Sequence, residues 1–244
     1  MKKSVLITGV LGGIGSGLAK AFSNSGYHVI GLDIKENVSP YCNLFIQFDL
    51  HLYCDDPSYK LKMEKKFDQL VPDLFVLINN AAVQILGNLQ EVKLEDWNHT
   101  LNVNLTGPLL LSQYFMDKLA LSKGSIINIA SIHQQLTKKR FISYATSKSA
   151  LVGLTKALSV DLQGKVRVNT ISPAAIDTQM LRDGFNNDDS MVQKLNELHP
   201  MQRIGKPAEV SKLALLLAED ELGFINGANL QIDGGISNVL KDLD

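Results

Sequence analysis

Short apolar runs recur along the chain and alternate with longer stretches in which apolar residues return every three or four positions. The runs occupy residues 5–8, 28–33, 44–50, 74–79, 125–130, 166–172 and 229–233. Most are nearly continuous in Val, Ile and Leu, the mark of parallel strands buried on both faces. The longer stretches predict helices over 14–25, 59–70, 94–121, 142–162, 191–198 and 207–218. Strand and helix in alternation imply right-handed crossovers. The expected architecture is therefore one α/β domain over residues 1–244, a doubly wound parallel sheet of Rossmann type. It has about seven strands, with helices on both faces. The polar stretch 182–190 interrupts this pattern and predicts a mobile loop, so residues 180–205 are expected to act as a lid.

The first run passes straight into glycines. Gly9, Gly12, Gly13, Gly15 and Gly17 stand between the predicted first strand and first helix. Glycine weakens regular elements, so the cluster marks a tight turn. Strand, glycine turn and helix together bring bare backbone N–H groups, and the positive end of a helix dipole, up to a phosphate. From Thr8 to Gly15 the pattern is T-G-x-x-x-G-x-G, and Leu18 stands where the third glycine of G-x-G-x-x-G would fall. Asp33 closes the second run, near the ~20-residue offset of a ribose-binding acid. A carboxylate there accepts hydrogen bonds from ribose hydroxyls and repels a 2′-phosphate. Val10, Leu11 and Gly12 in the turn carry no charge to offset that repulsion. Both features select NAD over NADP. Asp49 and Leu50 end the third run and are expected near the adenine, although Asp49 alone fits a turn or helix cap equally well.

Charge and cysteine content narrow the classes. Lys and Arg number 24 against 25 acids, for a net charge of −1, so no basic footprint for nucleic acid or an anionic membrane is present. No stretch approaches the ~20 apolar residues of a membrane helix. The opening MKKSVLITGV is too short for a secretion signal, and the expected location is cytoplasmic. Cys42 and Cys54 have neither C-x-x-C spacing nor neighbouring histidines, and read as free thiols, not a metal site.

Hydride exchange with an alcohol needs a proton carrier beside the cofactor. Tyr144 and Lys148 lie one helical turn apart at the start of a predicted helix, and Ser131 ends the strand before it. An ammonium close to a phenol, together with a positively charged nicotinamide, favours the phenolate and lowers the pKa from its usual ~10. Tyr-x-x-x-Lys is weak alone, and Tyr114 with Lys118 makes a second pair. That pair lacks a strand-end serine and reads as structural, with Tyr114 packed and Lys118 solvated.

Taken in order, Thr8 to Gly15, Asn79-Asn80-Ala81-Ala82, Asn104 in VNLTG, Ser131, Tyr144 with Lys148, NTISPAAIDTQM and the closing LQIDGG resemble the short-chain dehydrogenase/reductase family, NAD type, over essentially the whole chain. The resemblance implies that Tyr144 is the acid/base, that Lys148 binds the nicotinamide ribose and tunes it, and that Ser131 orients substrate. It gives Asn104 the water of a proton relay. It places Gly9, Leu11, Gly13, Ile14, Gly15, Asp33, Asp49, Leu50, Asn80, Ala81, Ala82, Tyr144, Lys148, Pro173, Ile176 and Thr178 against the cofactor, and it suggests a homotetramer. Surplus apolar residues such as Leu151, Val152, Leu154 and Leu158 on the catalytic helix fit such assembly. Ala82 and Ala174 stand where the family usually has glycine, a departure that matters only if φ is positive there.

Gln84, His133 and Arg140 fall where substrate loops belong. The first two donate and accept hydrogen bonds, and Arg140 suits a carboxylate. The expected function is an NAD-dependent interconversion of a secondary alcohol and a carbonyl on a sugar, polyol or short hydroxy acid. Two alternatives stand beside it: a catalytically silent dinucleotide-binding sensor or scaffold, and a 3-oxoacyl-thioester reductase.

Overall fold

The structure is a computed structural model that describes residues 2–185 and 187–240. Its strands are β1 (Ser4–Thr8), β2 (His28–Asp33), β3 (Leu44–Gln47), β4 (Val76–Asn79), β5 (Ser125–Ile129), β6 (Arg167–Pro173) and β7 (Asn229–Ile232). They form one parallel sheet in the order β3-β2-β1-β4-β5-β6-β7. The helices are α1 (Gly13–Asn24), α2 (Leu50–Asp55), α3 (Pro57–Leu70), α4 (Leu94–Leu101), α5 (Gly107–Leu121), α6 (Ile142–Asp161), α7 (Gln179–Asp183), α8 (Asp189–Leu198) and α9 (Pro207–Ala218). None of them is long and apolar enough to cross a membrane.

The alternation of side chains along a strand divides the core in two. Val5 and Ile7 of β1 pack under α1 and α9 with Leu18, Phe22, Val210 and Leu217. Leu6 faces the other way, with Phe67, Leu111, Phe115 and Leu119. Glycine lets α1 and α9 approach closely, since a Cβ on Gly17 would lie 2.9 Å from Ser211 Oγ and 3.0 Å from Pro207 Cβ. A buried polar chain crosses the sheet beneath α6. Asn79 Nδ2 donates to Asn128 Oδ1 at 2.8 Å, Asn128 Nδ2 to Thr155 Oγ1 at 2.8 Å, and Thr170 Oγ1 to Thr155 Oγ1 at 2.7 Å. These bonds fix the rotation of α6, which carries Tyr144. Strand order reverses at β1, between β2 and β4, so a crevice opens there beyond the carboxyl ends of the strands.

Four expectations change. The third strand stops at Gln47, and Asp49 is the N-cap of α2, accepting from the N–H groups of His51 at 2.9 Å and Leu52 at 3.1 Å. Leu50 opens that helix, buried against Gly107. The helix expected over 94–121 contains a π-helical turn, Asn102–Thr106. The stretch 182–190 begins in the last turn of α7 and ends in the first turn of α8, with residues 184, 185, 187 and 188 outside either helix, and Arg182 pairs with Asp177 at 2.9 Å and Asp189 at 3.3 Å. Asn186, within that stretch, lies outside the described residues. Leu151 and Val152 are buried within the chain itself, so they do not argue for assembly.

Candidate active site

The crevice begins at the glycine turn. Gly9 has φ +64°, and a Cβ there would come within 2.8 Å of the Ala81 backbone. Gly13 leaves room for Thr178, whose Cγ2 would lie 2.6 Å from an added Cβ. Gly12 caps α1 without a side chain, so the first N–H groups of the helix, from Gly13, Ile14 and Gly15, have no side-chain acceptor at the cap. That is the donor set a pyrophosphate uses. Thr8 holds the turn to β4: its Oγ1 accepts from the N–H groups of Asn80 and Ala81, both at 2.9 Å. The Asn80 amide donates to the carbonyl oxygens of Thr8 at 2.9 Å and Gly9 at 3.1 Å, so it braces the turn.

Asp33 is buried at the end of β2, with Oδ2 accepting from Leu11 N–H at 2.9 Å and Oδ1 from Lys35 N–H at 3.1 Å. Each carboxylate oxygen keeps a lone pair for a ribose hydroxyl. Across the crevice Pro173 ends β6, and Ile176 is buried where its backbone bridges Gly205. Thr178 caps α7, accepting from Leu181 N–H at 3.3 Å. Neither Ala82 nor Ala174 has positive φ, so alanine meets no backbone strain at either place.

Ser131, Tyr144 and Lys148 meet beyond the end of β5. All three are buried, at 7%, 9% and 2% exposure. Tyr144 hydrogen-bonds Ser131, and Ser131 Oγ also accepts from His133 N–H at 3.2 Å. Lys148 Nζ donates to the Ile129 carbonyl at 2.8 Å and lies 5.7 Å from the Tyr144 ring centroid. The expectation that the lysine lowers the tyrosine is not met in the protein alone. Burial pushes Tyr144 up to about 12, with the Ser131 hydrogen bond pulling it back, and burial pushes Lys148 down to about 7. Both groups favour their neutral forms, because desolvation outweighs attraction.

Asn104 sits in the π-helical turn at 1% exposure. Its Oδ1 accepts from Val83 N–H at 2.9 Å, and its Nδ2 donates to the Val83 carbonyl and to Ser147 Oγ, each at 3.0 Å. Ser147 in turn donates to the Tyr144 carbonyl at 2.7 Å. The side chain thus ties the loop after β4 to α6. Thr8 and Ser147 were not singled out from the sequence. Thr8 begins the glycine motif and Ser147 precedes Lys148, but neither position announces a tertiary partner.

Gln84 is half-buried in the loop after β4. His133 lies beside Tyr144, with ring centroids 5.9 Å apart. Arg140 is turned elsewhere: its guanidinium holds Glu91 at 3.0 and 3.3 Å, in place of the substrate carboxylate expected of it. This ion pair and the Gly87 N–H to Arg140 carbonyl bond of 2.9 Å join the two loops that flank the site.

The second Tyr-x-x-x-Lys pair is structural. Tyr114 Oη donates to Asp68 Oδ1 at 2.6 Å and to the Glu64 carbonyl at 2.8 Å. Lys118 is not freely solvated, since its Nζ donates to the Val71 carbonyl at 2.6 Å. Tyr114→Phe is expected to cost about 1 kcal/mol of stability, a Tm fall of about 2–4 °C, with kcat retained. A calorimetric scan beside an activity assay checks this, and a large loss of kcat would contradict it. Burial also raises the pKa of the thiols of Cys42 and Cys54, as suits inert cysteines.

A protein-family model described as "Enoyl-(Acyl carrier protein) reductase" matches residues 9–237. An NAD-dependent glycerol dehydrogenase of Listeria innocua is 31% identical over 245 residues, covering 96% of this chain and 93% of the relative. A meso-2,3-butanediol dehydrogenase of Serratia marcescens is 32% identical over 238 residues, covering 96% and 94%. The ligand-free aldohexose dehydrogenase of Thermoplasma acidophilum superposes with a TM-score of 0.92 at 31% identity, over 100% of this chain and 97% of that one. Likeness of sequence and fold therefore runs nearly end to end and takes in the glycine turn, the strand-end serine and α6. The chain belongs to the short-chain dehydrogenase/reductase family.

Proposed function

We propose that the chain is an NAD(H)-dependent oxidoreductase that interconverts a secondary alcohol and a carbonyl on a small, neutral, polar substrate, a polyol or sugar. The carrying observation is the buried Ser131–Tyr144–Lys148 group, at one side of a crevice whose far strand ends in Asp33. A bound nicotinamide supplies the hydride acceptor for the alcohol carbon, or the hydride donor for the carbonyl carbon. Tyr144 then carries the proton: its phenol gives it to the carbonyl oxygen in reduction, and its phenolate takes it from the alcohol oxygen in oxidation. Ser131 holds that oxygen in place. Lys148, on the same helix face, is placed to hold the nicotinamide ribose. The glycine turn and the start of α1 would hold the pyrophosphate, and Asp33 the adenosine ribose. The similarity to glycerol, butanediol and aldohexose dehydrogenases supports a hydroxylated substrate. A silent scaffold has no use for an intact proton carrier, so turnover is the better reading.

Asp33 tests the cofactor assignment. Its carboxylate meets a 2′-phosphate with a like charge and no neighbouring cation in the turn. Wild type is expected to favour NAD over NADP by at least about 10-fold in kcat/KM on the polyol it oxidises best, a difference of about 1.4 kcal/mol. Asp33→Ala should weaken NAD and narrow the gap. Equal kcat/KM with the two cofactors in wild type would overturn the NAD assignment.

A further inference from the structure

Between Ser131 and α6 the chain makes a short turn, Ile132–Gln134. The turn presents the His133 ring to the site. The ring lies 4.6 Å from that of Phe141 and 5.9 Å, edge-on, from that of Tyr144. It is linked to the catalytic serine through its own N–H, which donates to Ser131 Oγ at 3.2 Å. Nδ1 lies 3.2 Å from the Leu136 carbonyl oxygen. A carbonyl only accepts, so in the neutral ring Nδ1 carries the proton and Nε2 carries a lone pair. Nε2 makes no hydrogen bond among the described residues. Burial, helped by the Lys138 charge, lowers the His133 pKa, so the neutral ring prevails at neutral pH. Lys138 itself lies over Phe141, 4.5 Å from the ring centroid.

We propose that His133 is a specificity residue that selects substrates bearing a second hydroxyl next to the reacting carbon, with that hydroxyl donating its hydrogen bond to Nε2. The inference rests on the reading of Tyr144 and Ser131 as the groups that hold the reacting oxygen, and names the substrate class of that same site. Nε2 is an acceptor fixed in place by the turn and by Phe141. An adjacent hydroxyl satisfies it. An adjacent ketone oxygen or carboxylate sets lone pair against lone pair, and a mono-alcohol leaves Nε2 without a partner. A site built to hydrogen-bond a hydroxyl discriminates strongly against analogues that lack it. Arg140 is already paired with Glu91 and so is not free to hold a carboxylate in the site. The class is therefore the vicinal diol, open-chain in a polyol or cyclic in a sugar.

The test compares butane-2,3-diol with butan-2-ol, two probes that differ by one hydroxyl. It uses wild type, His133→Phe and His133→Gln. Phenylalanine keeps a ring against Phe141 and removes the lone pair, and glutamine restores an acceptor. Wild type is expected to prefer the diol by at least about 10-fold in kcat/KM, the worth of one hydrogen bond to a fixed acceptor. In His133→Phe the preference falls at least about fivefold, carried by KM for the diol, and His133→Gln regains part of it. NADH fluorescence titration of each variant establishes that the fold and cofactor site are intact. No diol preference in wild type, or an equal loss on both alcohols in both variants, overturns the role of His133. The catalytic reading survives that result provided Tyr144→Phe abolishes turnover of both. If wild type oxidises neither alcohol nor any polyol, both readings fall.

Discussion

Replacing Tyr144 with phenylalanine is expected to lower kcat by about 10²- to 10⁴-fold, the range general acid–base catalysis supplies. The variant should still bind NADH. Only the hydroxyl is lost, because the ring keeps its perpendicular packing against Phe141, with centroids 5.9 Å apart. The same hydroxyl sets the pH dependence. Burial pushes Tyr144 up to about 12, so the acid form dominates near neutrality and the site stands ready to protonate a carbonyl oxygen. Oxidation needs the phenolate. Its kcat/KM should therefore climb between about pH 7 and about pH 10, approaching tenfold per unit where the phenolate fraction limits the rate. Reduction should show no such rise. Initial rates in both directions across that range decide the matter. A flat oxidation profile, or a phenylalanine variant retaining half the wild-type rate, would remove Tyr144 from the proton path.

Lys148→Met should make the protein more stable and inactive. The usual lysine pKa of 10.5 falls to about 7 on burial. Between these values the unfolded chain binds more protons than the folded one, so this group makes stability rise with pH across that window. The cost is fully present below about pH 7 and gone above about pH 10.5. At one pKa unit per 1.36 kcal/mol the ceiling is roughly 4–5 kcal/mol. Methionine leaves the Ile129 carbonyl without its donor, which takes back about 1–3 kcal/mol. A net gain of about 2 kcal/mol at pH 7 corresponds to a Tm rise of about 4–8 °C. The two melting temperatures should approach each other as pH rises and cross before about pH 10.5, where the cost is gone and the lost Ile129 hydrogen bond leaves the variant the less stable. A methionine variant that melts below wild type at pH 7 would contradict the argument.

The strands were legible because a strand buried on both faces has no polar side, and its run of Val, Ile and Leu stands out. The glycine turn was legible because its neighbours showed what it joins. Helix α2 was not, since six residues with one cap leave too little periodicity. Asp49 therefore read as a strand end, and the helix cap that the residue taken alone allowed is the role it takes. The π-helical turn was hidden for a related reason: one extra residue inside a continuous apolar stretch leaves the helical pattern nearly unchanged. At the site, the order of Ser131, Tyr144 and Lys148 foretold that they meet. It did not foretell the direction of their pKa shifts, because desolvation depends on everything packed around them. Arg140 failed as a carboxylate host because Glu91, far off in sequence, reaches it first. Thr8 and Ser147 act through hydrogen bonds to distant elements, which residue spacing does not encode.

The π-helical turn at Asn102–Thr106 has a consequence for chain length. One residue more than an α-helix needs shifts everything after it by about 100° around the axis. The faces of α4 and α5 are thus set against each other by a count of residues, not by any one side chain. Deleting a single residue there would restore a regular helix and swing Leu111, Phe115 and Leu119 out of the core they fill. It would also carry the Asn104 amide away from Val83 and Ser147. Substitutions in this segment can be graded by size and polarity, but a change in its length leaves no intermediate case. Insertions and deletions belong in the surface loops, and this buried turn is a place where the chain must keep its register.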